Sequence, residues 1–365
     1  DRLTHHERNP MRIRRALSVP VSAAALAAVA TLMLSGCVAG ESSTPDAPAA
    51  GATAGTSGES EWSADTLNLD FATYNPLSLI IKEQGWIEET LGDSVTVTWT
   101  QSAGSNKANE ALRASAIDVG STAGSAALLA RANGSPIRTI GIYTQPEWAA
   151  IVVPEGSDID SVEDLRGRSV AVTKGTDPYF FLLQALEAHG VGLDEVEVQN
   201  IQHADGRVAL ENGSVDAWSG LDPMMADSEI NGGTHLVYRN IDFNTYGFLN
   251  AREEFLERSP DLAQVVLDAY EKARAWALEN PEETVRILAD VAAIDPAIAE
   301  KVLLERTVID LDPVPGETQR AVLEVVGPIF VESGDVSSQD AVDDALDTLF
   351  EPRFAEAADP SRIAD

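Results

Sequence analysis

The sequence predicts an α/β fold with two lobes and mostly parallel sheets, and two observations carry this prediction. From Thr66 to Tyr238, short apolar or alternating runs typical of strands take turns with stretches whose apolar residues recur at helical spacing. This alternation runs through two similar blocks, and about 300 residues follow Asp65, which is enough for two packed lobes. After Phe248 the strand patterns end and helical patterns dominate.

Individual elements follow from local patterns and from glycine and proline positions. Predicted strands lie at residues 67–72, 95–100, 117–120, 137–143, 149–153, 170–172, 196–201, 215–218 and 236–238. Predicted helices lie at residues 76–84, 106–116, about 125–131, 162–165, 179–186, 204–211, 223–229, 252–257, 260–279, 281–288, 296–305, 317–332 and 338–349. Gly175 allows a tight turn between strand 170–172 and its helix, where Asp177 can cap the first turn.

The first residues have the pattern of a secretion signal. Arginines precede an apolar run at 16–33, which ends in Leu-Ser-Gly-Cys at Cys37. We expect residues 1–36 to be a signal peptide, with 1–10 upstream of the true start at Met11. An uncleaved membrane anchor is the alternative, although an alanine-rich run of about 18 residues is at the lower limit for spanning a bilayer. The four residues also resemble the lipobox of bacterial lipoproteins, which implies a lipid on Cys37.

Charge excludes one class of function. The whole chain carries a net charge of −34, and residues 1–36 contain five arginines but only two acidic residues, so the remainder carries −37. Nucleic-acid binding needs a basic surface, so we expect no nucleic-acid partner. A cleft can have a local field that differs from the global one, so an anionic ligand is not excluded. Cys37 is the only cysteine, and the chain therefore has no internal disulfide.

The sequence holds no pattern typical of catalysis. Three histidines follow the signal, His189, His203 and His235, and no two of them have the spacing of metal ligands. A nucleophile elbow, a phosphate-binding loop and a dinucleotide fingerprint are all absent from the sequence. We therefore expect no enzyme activity, no cofactor and no metal.

Polar, glycine-containing segments follow the predicted strands, where open α/β sheets bind their ligands. They are residues 73–75, 102–106, 121–125, 144–148, 174–177 and 219–222. Most of them begin a helix, and the first turn of a helix presents unpaired N–H groups and a partial positive charge. The sequence therefore predicts a site that binds a small oxyanion or carboxylate without transforming it.

Two stretches of the second block resemble a known family. "VAVTKGTDPYFFLLQALEAHG" and "ENGSVDAWSGLDPMMADSE" are similar to signature stretches in the substrate-binding proteins of ABC importers for aliphatic sulfonates, taurine and nitrate. "ALRASAIDVGSTAGSAALLARANGSPI" and "VLDAYEKARAWALENPEETVRILA" resemble other passages of that family, so the likeness runs from about Thr66 to Thr307.

The resemblance implies a periplasmic-binding-protein type II fold and a monomer that delivers its ligand to an ABC permease. Lobe 1 would comprise 66–145 plus 246–350, and lobe 2 would comprise 146–245. A lipid-anchored flexible tether, 37–65, would precede them, and a C-terminal tail, 351–365, would follow. The protein would be held on the outer face of the cell membrane, or in the periplasm.

The resemblance also implies nine ligand-binding positions: Tyr74, Asn75, Ser121, Thr122, Gly175, Thr176, Asp177, Trp218 and Asp222. Tyr74 and Asn75 lie at the end of the first strand, where Tyr74 is either an aromatic wall, a hydroxyl donor or a core residue. Ser121 and Thr122 are either donors to an anion or caps of the next helix.

The remaining positions belong to the second lobe. Gly175 and Thr176 would give backbone donors, whereas Asp177 either caps its helix or contacts ligand. Trp218 is either a cleft wall or a core residue. Asp222 either caps a helix or holds the ammonium of a substrate.

One departure from the family bears on the ligand. An aromatic residue often precedes the Asp-Pro pair in the family, and Leu221 stands there in this chain. With Asp177 and Asp222 nearby, a cleft of mixed charge would admit a zwitterion such as taurine. A thiamine-precursor pyrimidine, which related proteins bind, is the alternative ligand, and an enzyme on the same fold is a third alternative.

Overall fold

The computed structural model describes residues 62–365. The predicted signal peptide, Cys37 and most of the predicted tether lie outside these residues. The strands of the described part are β1 Thr66–Phe71, β2 Thr96–Gln101, β3 Val119–Ala123, β4 Ile137–Pro146, β5 Ile151–Pro154, β6 Ser169–Val172, β7 Glu197–Asn200, β8 Ala217–Ser219, β9 Thr234–Tyr238, β10 Gly247–Arg252 and β11 Thr307–Val308.

Helices cover both sheets and make up most of the C-terminal part. They are α1 Pro76–Gln84, α2 Trp86–Leu91, α3 Ser105–Arg113, α4 Gly124–Ala132, α5 Asp177–Ala188, α6 His203–Glu211, α7 Met224–Asn231, α8 Glu253–Arg258, α9 Pro260–Glu279, α10 Pro281–Ala292, α11 Pro296–Glu300, α12 Glu317–Glu332, α13 Gln339–Thr348 and α14 Arg353–Glu356. In the described residues, no helix is long and apolar enough to cross a membrane.

The strands form two separate sheets. The first has six strands in the order β11-β4-β10-β3-β1-β2, and the second has five in the order β7-β6-β8-β5-β9. The chain leaves the first sheet after β4, enters the second at β5, and returns from β9 to β10. Two sheets joined by two crossings give the two-lobed α/β architecture that the sequence predicts.

Both sheets are mixed, and this corrects the expectation of mostly parallel sheets. Strands β1, β2 and β3 pair in parallel, as do β6, β7 and β8. The other pairs are antiparallel. The reason is the double crossing: β4 leads out of the first sheet and β10 leads back beside it, so the two run in opposite directions, as do β5 and β9.

Helix α1 shows how the sequence sets the ends of an element. The side chain of Asn75 accepts a hydrogen bond from the Ser78 amide, and Pro76 occupies the first turn. Such a cap contributes about 1 kcal/mol. Gly85 ends the helix in the left-handed conformation, with φ of 67°, and donates its N–H to the Ile81 carbonyl. The helix therefore has the bounds that the sequence predicts.

Both ends of the described chain are packed more closely than we expected. Ser63, which we placed in the tether, donates its amide hydrogen to Asp261 Oδ2 at 2.8 Å. In the predicted tail 351–365, Phe354 and Ile363 are buried, and Lys272 on α9 donates to the Ala364 carbonyl at 2.6 Å. These residues belong to the folded body because they pack on α9 and the carbonyl of Ala364 accepts a hydrogen bond from Lys272.

Candidate functional site

The N-terminus of α4, which follows a strand of the first sheet, lies against the N-terminus of α5, which follows a strand of the second. The Asp177 carboxylate lies between them and accepts hydrogen bonds from Ser125 Oγ at 2.6 Å and Trp148 Nε1 at 2.7 Å. It also accepts from the Thr245 amide at 2.8 Å and the Thr245 hydroxyl at 2.6 Å. We call this place the α4/α5 junction. A carboxylate of the chain itself already occupies the position that an anionic ligand would take there.

Asp177 does not cap its own helix, contrary to one of our two expectations. The N-cap residue of α5 is Thr176, whose hydroxyl donates to the Thr173 carbonyl at 2.6 Å. Burial raises the pKa of the Asp177 carboxyl, although the hydrogen bonds from Ser125, Thr245 and Trp148 lower it. With its carboxylate engaged by four donors, Asp177 has the contacts of a structural residue.

Ser121 and Thr122 lie in β3 rather than in the loop that the sequence indicated. They pair with Leu249 and Phe248 of β10, and this pairing extends the strand by three residues. Both side chains are fully buried. The Ser121 hydroxyl donates to the Asp70 carboxylate at 3.0 Å, and the Thr122 hydroxyl donates to the carbonyl of Ala123.

Tyr74 and Asn75 are engaged within the chain as well. The Tyr74 hydroxyl donates to the Ser121 carbonyl at 3.1 Å, and its ring packs edge to face on Trp148, with centroids 5.9 Å apart. Asn75 caps α1 and donates its amide to the Tyr270 hydroxyl at 2.9 Å. In this arrangement both side chains brace the first lobe.

Asp222 is paired with an arginine that the sequence did not single out. Arg306 Nη1 lies 3.1 Å from Asp222 Oδ2, and both side chains are 2% exposed. The Ala226 amide also donates to Asp222, so this residue does bind the first turn of α7. Burial raises the pKa of Asp222 to about 6, and Arg306 lowers it. Beside the pair, Tyr74 and Trp148 line a cavity of about 10 Å³, which is about the space that a single water needs.

Trp218 lies in the core of the second sheet. It is fully buried in β8, in a cluster with Val152, Leu210 and Met225. A Cβ atom on Gly206 of α6 would come within 3.0 Å of the indole Nε1, so this glycine lets the helix approach the ring. Of the two roles considered for Trp218, the contacts match the core residue.

A second pair of helix N-termini meets where α3 and α6 begin. Neither helix has a side-chain cap. A Cβ atom on Gly104, just before α3, would lie 3.0 Å from His203 Nε2 and 3.0 Å from Asn106 Oδ1. Gly175, with φ of 77°, faces the same place, because its Cβ would lie 3.7 Å from that of Asn106. We call this place the α3/α6 junction.

The α3/α6 junction contains buried polar atoms without partners. Both ring nitrogens of His203, the Asn106 Oδ1 and the Gln202 Oε1 have no hydrogen-bond partner among the described residues. His203 is 1% exposed, and burial lowers its pKa to about 3, so the imidazole is neutral at pH 7. Each such atom costs about 1–3 kcal/mol while it is unpaired, which marks the junction as a place for a ligand.

A cavity of about 360 Å³ opens beside the α3/α6 junction. This volume lies in the range of small-molecule sites, roughly 300–1,000 Å³. Its lining combines polar side chains near the starts of α3 and α6, which we call the polar side, with apolar side chains at the start of α7 and the end of α10, which we call the apolar side. Its lining residues are Thr73, Gln101, Ser102, Ala103, Lys107, Gln202, His203, Ala204, Pro223, Met224, Val291, Ala292 and Ile294.

Sequence reasoning missed His203, Gln202 and Asn106. Asn106 ends one of the strand-end segments, 102–106, but no individual residue of that segment was chosen. His203 begins a helix directly after strand β7, which is the same signal that selected the other segments. The spacing of the histidines argues only against metal ligation, and that criterion does not test for a role in binding an anion.

Solved proteins share this architecture. The alkanesulfonate-binding protein of Xanthomonas axonopodis pv. citri, in a structure with bound MOPS, matches with a TM-score of 0.70 and 22% identity over 77% of this chain and 98% of its own. A desulfurization enzyme also matches, with a TM-score of 0.59 and 16% identity. These likenesses confirm the two-lobed periplasmic-binding-protein fold, which carries binding proteins and at least one enzyme.

Proteins of similar sequence show the family to which the chain belongs. A protein of Escherichia coli (strain K12), provisionally named an aliphatic sulfonates-binding protein, is 26% identical over 275 residues, which are 75% of this chain and 86% of its own. A protein of Bacillus subtilis (strain 168) with the same name is 30% identical over 229 residues, 62% of this chain and 69% of its own. The family model described as NMT1/THI5 like matches residues 80–284, more than half of the chain. The chain belongs to the NMT1/THI5-like family.

Proposed function

We propose that this chain is the extracytoplasmic solute-binding receptor of an ABC importer and that it binds an aliphatic sulfonate or taurine-type ligand between its lobes. The observation that carries this proposal is the α3/α6 junction, where two uncapped helix N-termini and unpaired polar atoms adjoin a cavity with an apolar side. The names of the relatives in Escherichia coli and Bacillus subtilis support the same ligand class.

The energies are sufficient for a receptor. A hydrogen bond to a charged group contributes about 1.5–3 kcal/mol, so four of them contribute about 6–12 kcal/mol. A micromolar complex needs about 8 kcal/mol, and burial of an alkyl chain adds about 0.8 kcal/mol for each CH₂. Binding alone accounts for such a site, and lobe closure around the ligand would present the complex to a permease.

The geometry favours a receptor over an enzyme. Of the histidines in residues 62–365, none is hydrogen-bonded to a carboxylate or to a hydroxyl, and His189 bonds a backbone carbonyl. An activated nucleophile needs a base within hydrogen-bond reach, itself oriented by a third group. We therefore propose a non-catalytic role, despite the fold shared with a desulfurization enzyme.

The pyrimidine alternative has less support. No Phe, Tyr or Trp lines the 360 Å³ cavity in the described part of the chain, so no aromatic ring is there to stack on a heterocycle. Asp177 and Asp222, the carboxylates that would pair with a cationic ring, already have partners within the chain.

A binding assay on the purified chain tests this function. Alkanesulfonates, taurine, nitrate, sulfate and a hydroxymethylpyrimidine should be compared by thermal unfolding, with calorimetry on each hit. A ligand at about a hundred times its Kd stabilises the protein by about 2.7 kcal/mol. We expect a sulfonate to give this effect. Stabilisation by the pyrimidine alone would contradict the proposal.

Anchoring is a separate part of the proposal and needs its own test. We propose that a lipid on Cys37 holds the receptor, as a monomer, on the outer face of the membrane, with the following segment as a tether. The Cys37→Ser variant should leave the membrane fraction of the producing cell, whereas the unchanged chain should stay in it. Retention of the variant would overturn lipidation at this residue.

A further inference from the structure

We propose that the α3/α6 junction binds the sulfonate group itself, with His203 as a specificity-determining residue, and that the apolar side of the cavity selects an unsubstituted alkyl chain over an aminoalkyl chain. This inference rests on the proposed function, because it assumes an aliphatic sulfonate as ligand. It names the end of the ligand that each side of the cavity binds, and it excludes taurine as the preferred ligand.

The polar side suits a tetrahedral oxyanion. First-turn N–H groups of α3 and α6 lack side-chain caps, and both helix dipoles favour a negative charge at this point. His203 is a neutral imidazole here, because burial lowers its pKa to about 3, so one ring nitrogen carries a proton that a ligand oxygen can accept in a hydrogen bond. Hydrogen-bond donors therefore come from helices of both lobes, and the three oxygens of a sulfonate can accept from both helices at once.

Two side-chain amides complete the polar side. The oxygens of Asn106 and Gln202 are buried without a donor in the described residues. Turning an amide by about 180° exchanges its oxygen for its NH₂ group, which donates. An oxyanion at the junction would favour that orientation, so both amides and the protonated ring nitrogen of His203 would donate to it. The second ring nitrogen is an acceptor and gains no partner from a sulfonate.

The apolar side offers nothing to a second charge. Pro223, Met224 and Ile294 line it, together with Val291 and Ala292. The buried carboxylates of Asp70, Asp177 and Asp222 do not line this cavity.

The nearest charged side chain lining the cavity is also unfavourable to an ammonium. Lys107 lines the polar side and pairs with Glu110 at 2.8 Å, with its side chain 45% exposed. A bound ammonium would lose its hydration without gaining a partner, whereas a methyl group in the same place loses only contact with water.

An isosteric pair of ligands tests the selectivity. Propane-1-sulfonate and taurine differ in a terminal methyl group against an ammonium group. Calorimetry on the full chain should give a Kd for propane-1-sulfonate that is lower by about tenfold or more. An equal Kd, or tighter binding of taurine, would overturn the inference and leave the proposed function standing. Failure of every sulfonate to bind would instead overturn the proposed function.

His203 variants test the role of the imidazole. We expect His203→Leu to weaken propane-1-sulfonate binding by about tenfold or more and His203→Gln, which keeps a donor, to retain most of the affinity. The ligand-free His203→Leu protein should unfold at the same or a higher temperature, because it loses unpaired buried polar atoms. His235→Leu is the control, since this exposed histidine does not line the cavity. Unchanged affinity in His203→Leu would overturn the assignment.

A charge placed in the apolar side tests the orientation of the ligand. Met224→Glu should reverse the order of affinity, so that taurine binds more tightly than propane-1-sulfonate, because the new carboxylate pairs with the ammonium. Met224→Gln, which is polar but uncharged, should not reverse it. The same preference in Met224→Glu as in the unchanged chain would show that the ammonium end does not face α7, and it would overturn the inference.

Discussion

The α4/α5 junction and the α3/α6 junction are built alike and completed differently. In each, a helix beside the first sheet and a helix beside the second begin against one another. At the α4/α5 junction the Asp177 carboxylate accepts four hydrogen bonds from three residues. At the α3/α6 junction His203, Asn106 and Gln202 lie buried with unpaired polar atoms. One junction holds a permanent anion of the chain, and the other keeps buried polar atoms without partners beside a cavity that an exchangeable anion can enter.

This difference explains how one protein joins its lobes and still responds to a ligand. The contacts of Asp177 need no ligand, because every partner belongs to the chain, and the Ser125 contact joins α5 beside the second sheet to α4 beside the first. The contacts at the α3/α6 junction cost about 1–3 kcal/mol for each unpaired atom when the lobes meet without a ligand. A ligand that accepts hydrogen bonds from these residues therefore binds the closed arrangement more tightly than the open one, and a population shift requires such a difference in affinity.

Removing the permanent anion should give the largest effect on stability. Asp177→Ala leaves the hydroxyls of Ser125 and Thr245, the Thr245 amide and the Trp148 indole without an acceptor. We expect the free energy of unfolding to fall by about 4 kcal/mol, measured by urea denaturation. Asp340→Ala, which removes an exposed first-turn carboxylate from α13, should cost less than about 1 kcal/mol. Equal losses in the two variants would show that Asp177 does not join the helices.

Asp222 differs from Asp177 in that its buried carboxylate is paired with the positive charge of Arg306. Arg306→Met leaves Asp222 buried without its cation, and we expect a loss of about 3 kcal/mol at pH 7. The double variant Asp222→Asn/Arg306→Met should recover most of it, because no fully buried charge remains unpaired. Glu229, the other partner of Arg306, is partly exposed and keeps Lys301 at 3.6 Å. A double variant as unstable as Arg306→Met alone would contradict the pairing. Urea denaturation of the three proteins gives the answer.

The pH dependence of stability tests a third buried carboxylate, which has hydroxyl partners but no cation. Burial raises the pKa of Asp70 from 3.8 to about 7, while hydrogen bonds from Ser121 and Ser102 lower it. The folded protein therefore holds a proton that the unfolded chain releases near pH 4. The stabilisation is complete below about pH 4 and is lost as the pH rises through about 7.

Asp70→Asn isolates that contribution. Its free energy of unfolding should fall less steeply than that of the unchanged chain between about pH 4 and about pH 7. Asp177 and Asp222 are present in both proteins, so their own titration cancels in the difference. Parallel curves would show that Asp70 has an ordinary pKa in the folded protein.

The smallest predicted effect concerns the close approach at the α3/α6 junction. In Gly104→Ala the new Cβ atom would lie 3.0 Å from His203 Nε2 and from Asn106 Oδ1, so these two side chains must shift by a few tenths of an ångström. We expect a Kd for propane-1-sulfonate that is raised about threefold to tenfold. Gly316→Ala is the control, since a Cβ there meets nothing within 4 Å. Equal Kd values in the two variants would argue against ligand-bound closure at Gly104.

Much of the fold was predictable because local signals determine it. Helices α1, α9 and α12 have the predicted bounds, and α1 and α9 begin with a proline in the first turn. The strand continuing through Ser121 and Thr122 was not predictable, because it depends on pairing with β10, which comes much later in the chain. Likewise, mixed sheets follow from the double crossing between lobes, which the alternation of strands and helices does not reveal.

The site was less predictable because its meaning depends on distant partners. Asp177 was chosen as a ligand contact, yet its partners Ser125 and Thr245 lie 52 and 68 positions away. These partners use the carboxylate that we expected to face a ligand. His203 matters because it is buried against Gly104 on the other lobe, and no local pattern shows this burial.

The crystal structure of the chain with propane-1-sulfonate tests the central claim most directly. We expect sulfonate oxygens within hydrogen-bond distance of His203 and of the first-turn amides of α3 and α6, with the propyl group against Met224 and Ile294. We also expect Asp177 to keep its four hydrogen bonds. A sulfonate bound at the start of α4 or α5 in place of the Asp177 carboxylate, with His203 still unpaired, would contradict the distinction between the two junctions.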